Sequence, residues 1–296
     1  MEPARPIPCI GAVLWDVVGR HPHTMHPGDD RPGRIERLPG GVAMNVAMTL
    51  RRFGMAPTLL TCIGTDREGV ELVAECARMG VETDFALRRD DLATDRYIAI
   101  EDANGLVAAI ADAHSLEAAG AAILTPLRDG RLGSAAEPFS GPVVLDGNLA
   151  DALLAEIATD RCLAAADLRV VPASPGKAMR LRPLLGLANA TIYLNRLEAA
   201  LIADCDFRSS AEAASSLVGA GCARIIVTDG AHPTTDACPE HAFTAHPPVV
   251  EPRRITGAGD TFVAAHIAAE ASGHTRAFAL EAALQAAATY VSGTSA

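Results

Sequence analysis

Short apolar runs alternate with amphipathic stretches along most of this chain. Residues 7–13 read as a first buried strand, 41–53 as a helix stopped by Gly54, and 57–63 as another strand. Residues 66–79 then carry a helical pattern, with Asp66 placed to cap its first N–H groups and Gly80 just beyond its end. Apolar runs at 142–145, 169–171, 191–194 and 224–228 read as further core strands, and helical patterns at 150–159, 177–185, 196–202 and 210–220 fall between them. Strands alternating with helices predict an α/β fold, a mostly parallel central sheet covered on both faces.

Two stretches break that rhythm. Residues 96–102 and 106–112 flank Ala103-Asn104-Gly105, and Asn-Gly between β-prone runs signals a hairpin. Residues 17–38 are rich in Pro, Gly, His and Asp and supply either another edge strand or loops beside that hairpin. The expectation is one domain over 1–296, with a small β lid from about 14–38 and 90–113 inserted in the α/β body.

Composition narrows the function. The 25 basic side chains against 36 acidic ones leave a net charge of −11, which argues against a nucleic-acid or anionic-membrane surface. A nucleotide substrate stays open, because Mg²⁺ and helix N-termini supply positive charge locally. The 7 cysteines are scattered singly with no C-x-x-C pair, and read as reduced, buried thiols of a cytoplasmic protein. Residues 7–18 are apolar but short, contain Asp16 and lack a cleavage-like ending, so no signal peptide is expected.

The strongest chemical signal is Thr256-Gly257-Ala258-Gly259-Asp260, running into an apolar stretch. Two glycines and a carboxylate at the start of a helix form an anion cradle, since the first N–H groups lack partners and the dipole favours negative charge there. An acid beside a phosphate is repulsive unless it accepts a proton from an attacking hydroxyl. Asp260 therefore reads as the base of a phosphoryl transfer to an alcohol, kept ionised at neutral pH by the same dipole; a helix-capping Asp is the plainer alternative. Four further constellations are compatible with that chemistry. Gly40-Gly41 before a helix allows close ligand approach, with Asn45 one turn on to meet sugar hydroxyls, or is only a turn and a surface Asn. Asp16 follows the first strand and suits a diol, or is a solvated loop residue. Asn195-Arg196-Leu197-Glu198 puts Asn195 and Glu198 on one helical face for a hydrated Mg²⁺, or is a cap with an exposed Glu. Thr228 and Gly230, where a strand ends, can touch a nucleotide, or form an ordinary turn.

In combination, Gly40-Gly41 with Asn45, Asn195 with Glu198, and the 256–260 segment resemble the ribokinase-like (PfkB) family of sugar and nucleoside kinases over nearly the whole chain. The resemblance implies a three-layer αβα Rossmann-like body with a small β lid, and ATP as donor. It makes Asp260 the base and the backbone of Gly257, Ala258 and Gly259 the anion hole. Asp16, Gly40, Gly41 and Asn45 become acceptor contacts, and Asn195, Thr228, Gly230, Thr256, Gly257 and Gly259 nucleotide contacts. Asn195 and Glu198 would arrange Mg²⁺, and many relatives add a monovalent cation such as K⁺. Lid edges in this family often pair, which implies a homodimer.

Segments such as Leu145-Asp146-Gly147-Asn148-Leu149 and Pro172-Ala173-Ser174 with Lys177 look most like the pseudouridine kinases of the family. That likeness implies phosphorylation of a nucleoside 5′-hydroxyl. A ribose, ketohexose or other nucleoside kinase is the alternative, as is a non-catalytic ligand-binding protein on the same scaffold. Two departures stand out. Thr228-Asp229-Gly230-Ala231-His232-Pro233 lacks the Leu and second Gly that relatives often carry, and Arg253-Arg254-Ile255 stands where many have Asp-Thr.

Overall fold

The computed structural model describes residues 5–293; residues 1–4 and 294–296 of the expected 1–296 domain lie outside the described residues. In chain order its strands and helices are β1 (Ile7–Ile10), β2 (Leu14–Arg20), β3 (Arg34–Gly40), α1 (Val42–Arg52), β4 (Pro57–Leu60), β5 (Cys62–Gly64), α2 (Arg67–Arg78), β6 (Leu87–Arg89), β7 (Arg96–Asp102), β8 (Gly105–Asp112), α3 (Ser115–Ala119) and α4 (Thr125–Arg128). The second half adds β9 (Gly141–Asp146), α5 (Asp151–Ile157), β10 (Ala166–Val171), β11 (Ala190–Asn195), α6 (Arg196–Ala203), α7 (Ser210–Gly219), β12 (Arg224–Asp229), β13 (His232–Ala237), β14 (Ala242–Ala245), α8 (Ala258–Ala271) and α9 (Arg276–Val291).

An eight-stranded sheet runs β14-β13-β12-β11-β10-β9-β1-β4, parallel from β12 to β4 and antiparallel at the β13–β14 edge. Alternate residues of each central strand enter opposite cores. Ile10, Leu145, Ile192 and Val227 pack beneath α5, α6 and α7, while Cys9, Val144, Tyr193 and Ile226 pack beneath α1, α2, α8 and α9. With both faces buried, each strand reads as a continuous apolar run rather than an alternating one. The three-layer αβα arrangement follows.

A second, four-stranded sheet, β3-β2-β7-β8, stands beside this body. Its hairpin turns where the Asn-Gly signal placed it: Gly105 has φ +110°, and Asn104 N–H donates to Asp102 Oδ1 at 2.7 Å. The 17–38 stretch contributes most of β3 and of β2. The α2 caps also agree with the sequence: Gly69 N–H donates to Asp66 Oδ1 at 2.8 Å, and Gly80 takes φ +71°.

Three elements differ. The strand expected over 7–13 stops at Ile10 as β1, and β2 starts only at Leu14, in the other sheet. The chain crosses between them at Gly11, where any Cβ would lie 2.2 Å from Asp146 Cβ. The run at 57–63 divides likewise into β4 and β5. The 177–185 pattern is 3₁₀ helix over Pro175–Leu184, because Pro183 inside it has no N–H to extend an α-helical ladder. Five cysteines are buried, but Cys205 is exposed and Cys238 partly so, which corrects the reading of all seven as buried. Among the described residues no helix is long and apolar enough to cross a membrane.

Candidate active site

The carboxyl ends of the parallel strands, the N-termini of α1 and α8, and one face of the four-stranded sheet enclose a cavity of about 640 Å³. This is where open parallel sheets bind ligands, since loops diverge and helix N-termini converge at that edge.

Asp260 lies in the first turn of α8. The helix starts after Gly257, which has φ +88°; a Cβ on Gly257 would fall 2.6 Å from the Tyr290 hydroxyl, so there is no room for a side chain. The Asp260 carboxylate does not cap the helix; it turns inward and accepts a 2.8 Å hydrogen bond from Asn45 Nδ2, which comes from α1. Desolvation pushes Asp260 up to about 7, and the Asp146 and Asp16 carboxylates add to it against the opposing Asn45 bond. The dipole expected to keep it fully ionised at neutral pH is thus outweighed by burial among like charges.

The N–H groups of Gly259 and Asp260 have no backbone acceptor among the described residues, so an anion can take them. Ala258 is different. Its N–H donates to Ile255 O at 3.0 Å and it does not line the cavity, which removes it from the expected anion hole. Thr256, Gly257 and Gly259 do line it.

On the opposite wall Asp16 lies within β2, paired with Leu38 and Tyr97, rather than in a loop. Burial pushes it up to about 6. Gly40 explains its posture: a Cβ there would sit 1.9 Å from Asp16 Oδ2, so Gly40 makes room for that carboxylate without lining the cavity. Gly41 and Asn45 line it directly. Asp146, at the end of β9, is fully buried behind this wall and raised by desolvation. It accepts from Ala12 N at 2.8 Å and Ala43 N at 3.3 Å, and so fastens the start of α1 to the sheet.

Asn195 and Glu198 form a reciprocal cap on α6: Glu198 N–H donates to Asn195 Oδ1 and Asn195 N–H to Glu198 Oε2, both at 2.8 Å. The plainer reading of this motif is therefore correct as to the cap, but Glu198 is buried and lines the cavity, and desolvation raises it. The Asn195 N–H donates only to its Oε2, leaving Oε1 without a backbone donor among the described residues. One such oxygen beside a phosphate path suits Mg²⁺, which keeps most of its waters. Thr228 lines the cavity too; Gly230 does not, because it forms the tight turn between β12 and β13 at φ +59°. The Arg253-Arg254-Ile255 segment, where relatives often carry Asp-Thr, is basic instead. Arg254 stacks 3.8 Å over the Tyr290 ring and donates to Tyr290 O at 2.7 Å, placing a fixed positive charge there.

Asp146, Asn148, Lys177 and Tyr97 were not assigned roles from sequence, although all but Asp146 line the cavity. The rule that singled out Asp16, a polar residue at the carboxyl end of a strand, applies equally to Asp146 and Asn148 after the 142–145 run.

A three-layer α/β body with a β sheet over a helix-start anion site defines a small-molecule phosphotransferase of the carbohydrate-kinase kind. The chain belongs to the pfkB family of carbohydrate kinases, whose model matches residues 4–296. It is 28% identical to a pseudouridine kinase of Escherichia coli K12 over 261 residues, 86% of this chain and 80% of that protein. Among solved structures it is similar to a carbohydrate kinase from Agrobacterium tumefaciens, with TM-score 0.79 and 26% identity over 96% of this chain and 90% of that one. It is also similar to an Arabidopsis thaliana ribokinase complexed with ribose and ATP, with TM-score 0.76 and 17% identity over 97% and 93%. The fold is ribokinase-like.

Proposed function

We propose that the cavity transfers the γ-phosphoryl group of ATP to the 5′-hydroxyl of a nucleoside, with pseudouridine the acceptor favoured by similarity to the E. coli enzyme. The observation that carries this reading is the Asn45–Asp260 hydrogen bond, which points a proton-accepting carboxylate with a value of about 7 into the cavity between two walls. Ribose hydroxyls bond to Asp16 and Asn45. Asp260 takes the 5′-OH proton as the oxygen–phosphorus bond forms; the bond from γ-phosphorus to the bridging oxygen breaks, and ADP leaves with its electron pair. The Gly259 and Asp260 N–H groups face the phosphoryl oxygens. Glu198 and Asn195 would hold Mg²⁺ through water, where it neutralises phosphate charge. The four-stranded sheet acts as the lid that excludes water.

Incubation with ATP·Mg²⁺ and a panel of pseudouridine, uridine, adenosine, ribose and fructose, followed by ADP, tests the reading. Turnover confined to pseudouridine supports it, and turnover on ribose or fructose moves the protein to the sugar kinases. Ligand binding without turnover across the panel favours the non-catalytic scaffold.

Asp16→Ala should raise the acceptor KM by about tenfold or more while kcat changes less, because Asp16 contacts the acceptor and not the phosphoryl group. The pH dependence follows from the raised carboxylates. Only ionised Asp260 accepts a proton, so kcat/KM should rise with pH through about 7, and fall more steeply below about 6 as Asp16 also protonates. A rate independent of pH between 5 and 8 would contradict the assignment.

The expected homodimer has apolar material in place. Register puts Asp16, Tyr97 and Ala111 toward the cavity and Ile35, Ile98, Ile100 and Ile110 on the opposite face, where Ile35 is 78% and Ile110 71% exposed. Sedimentation should give a dimer for the unaltered chain and a monomer for Ile110→Glu.

A further inference from the structure

Lys177 is the single lysine of the chain; every other member of its 25 lysines and arginines is arginine. Ion pairs here are arginine's work, as in Arg128 with Asp160 and Arg224 with Asp236 and Glu270. Lysine stands at one place, the cavity wall, in the 3₁₀ segment after β10.

Among the described residues no other basic side chain lines the cavity, whereas Asp16, Glu198 and Asp260 do, with Asp146 buried behind them; Glu117 also lines it but is paired with Arg180 at 3.7 Å. A polyanion entering so acidic a space needs a cation, and Lys177 is the side chain that can supply one. Its Nζ makes no ion pair among the described residues; it donates to a neutral amide, Asn148 Oδ1, at 2.7 Å. Asn148 is itself held by Asp146, through its backbone N–H at 2.7 Å and its Nδ2 at 3.3 Å. The ammonium is thus parked at a defined point with donors to spare.

Strand order fixes where that point lies. β10 and β9 stand between β1, which leads into Asp16, and β11 and β12, whose ends carry Asn195 and Thr228. A group passing from the Thr228 side to the Asp16 side crosses the ends of β10 and β9, where Lys177 and Asn148 sit.

We infer that Lys177 is the phosphoryl-binding cation of the site: its ammonium leaves Asn148 to hold the transferring phosphate, follows it to the acceptor, and returns when product departs. This rests on the phosphoryl-transfer reading above. A compact ammonium on a flexible stem with three rotatable donors can track a moving group, whereas a planar guanidinium fork favours one fixed geometry. That difference accounts for a lysine in a chain that otherwise uses arginine.

Because the chain has one lysine, amine-selective labelling followed by peptide mapping reports on Lys177 alone, apart from the terminal amine. Saturating MgATP, or inorganic tripolyphosphate, should slow trinitrophenylation of Lys177 by about tenfold or more, and the acceptor nucleoside alone should not. Lys177→Met should lower kcat by about 10²–10³-fold, the range for loss of one transition-state charge contact, with acceptor KM within about threefold of the unaltered protein. Lys177→Arg should recover only part of that loss. Labelling unchanged by either polyphosphate overturns the proposal, as does protection by the nucleoside alone, which would make Lys177 an acceptor contact. A Lys177→Met protein with unaltered kcat overturns it too. If the unaltered protein transfers phosphate to no acceptor, the kinase reading fails, yet tripolyphosphate protection still decides whether Lys177 binds phosphate.

Discussion

Asp260→Asn should lower kcat by at least about a hundredfold, the low end for loss of a general base, while leaving the fold intact. Asparagine keeps the size of the side chain and can still bond to Asn45 by turning its amide, so what disappears is the proton acceptor. The same substitution should stabilise the protein, with a sign set by linkage. The folded protein holds the Asp260 proton up to about 7, against an ordinary carboxylate value of 3.8. Its contribution to stability is therefore fully present at low pH and lost as pH rises through that interval. Asp260→Asn removes the cost of a desolvated charge near Asp146 and Asp16, so its melting temperature should exceed the parent's at pH 8 and approach it near pH 4. Activity retained within tenfold would remove Asp260 from its role; equal melting temperatures at pH 8 would mean that its burial is not costly. Site residues that destabilise the fold they serve are a common trade of stability for function.

Gly41→Ala should damage both stability and activity. Gly41 precedes α1 with φ +95° and ψ 147°, a region that side chains rarely adopt, and a Cβ there would lie 2.3 Å from Ala12 O. That obstacle is main chain, itself held by Asp146 through the Ala12 N–H, so it cannot swing aside. Backbone strain and overlap together should cost roughly 2–4 kcal/mol, or a melting temperature lower by about 5–10 °C. The start of α1 would shift with it, moving Asn45 away from Asp260. The expected kinetic result is a loss in kcat/KM of about tenfold or more, with the pH inflection displaced because the Asn45 bond that favours ionised Asp260 is weakened. Calorimetry and a pH–rate profile measure both; a variant as stable and active as its parent would show that the close approach at Gly41 is not required.

Much of the α/β body was legible because its signals are local. Asp66 and Gly80 bracket α2 by capping chemistry, and Asn104-Gly105 marks its hairpin by backbone conformation. Two failures share a cause. Residues 7–13 and 57–63 each read as one strand, yet the first stops at Ile10 before the chain leaves for the other sheet and the second divides between two sheets, and nothing in hydrophobicity marks where a chain changes partners. The β13–β14 edge went unread because His232-Pro233-Thr234-Thr235-Asp236-Ala237 is polar in composition, although Asp236 is buried by pairing with Arg224 and Arg276. Gly40 was placed in the site for the right neighbourhood and the wrong reason, since it clears space for Asp16 from the adjacent strand.

By itself the sequence determined most elements of the parallel α/β body, the glycine-marked start of α8 with an acid in its first turn, and the family to which they belong. Those depend on residues within a turn or two of one another, where spacing dictates geometry. Only the tertiary structure decided how acidic Asp260 is, that Asn45 holds it from 215 positions away, and that Lys177 is the one basic side chain, among the described residues, lining a cavity shared with several carboxylates. Desolvation and charge pairing are sums over neighbours in space, and the long crossovers of a parallel sheet bring those neighbours from every part of the chain.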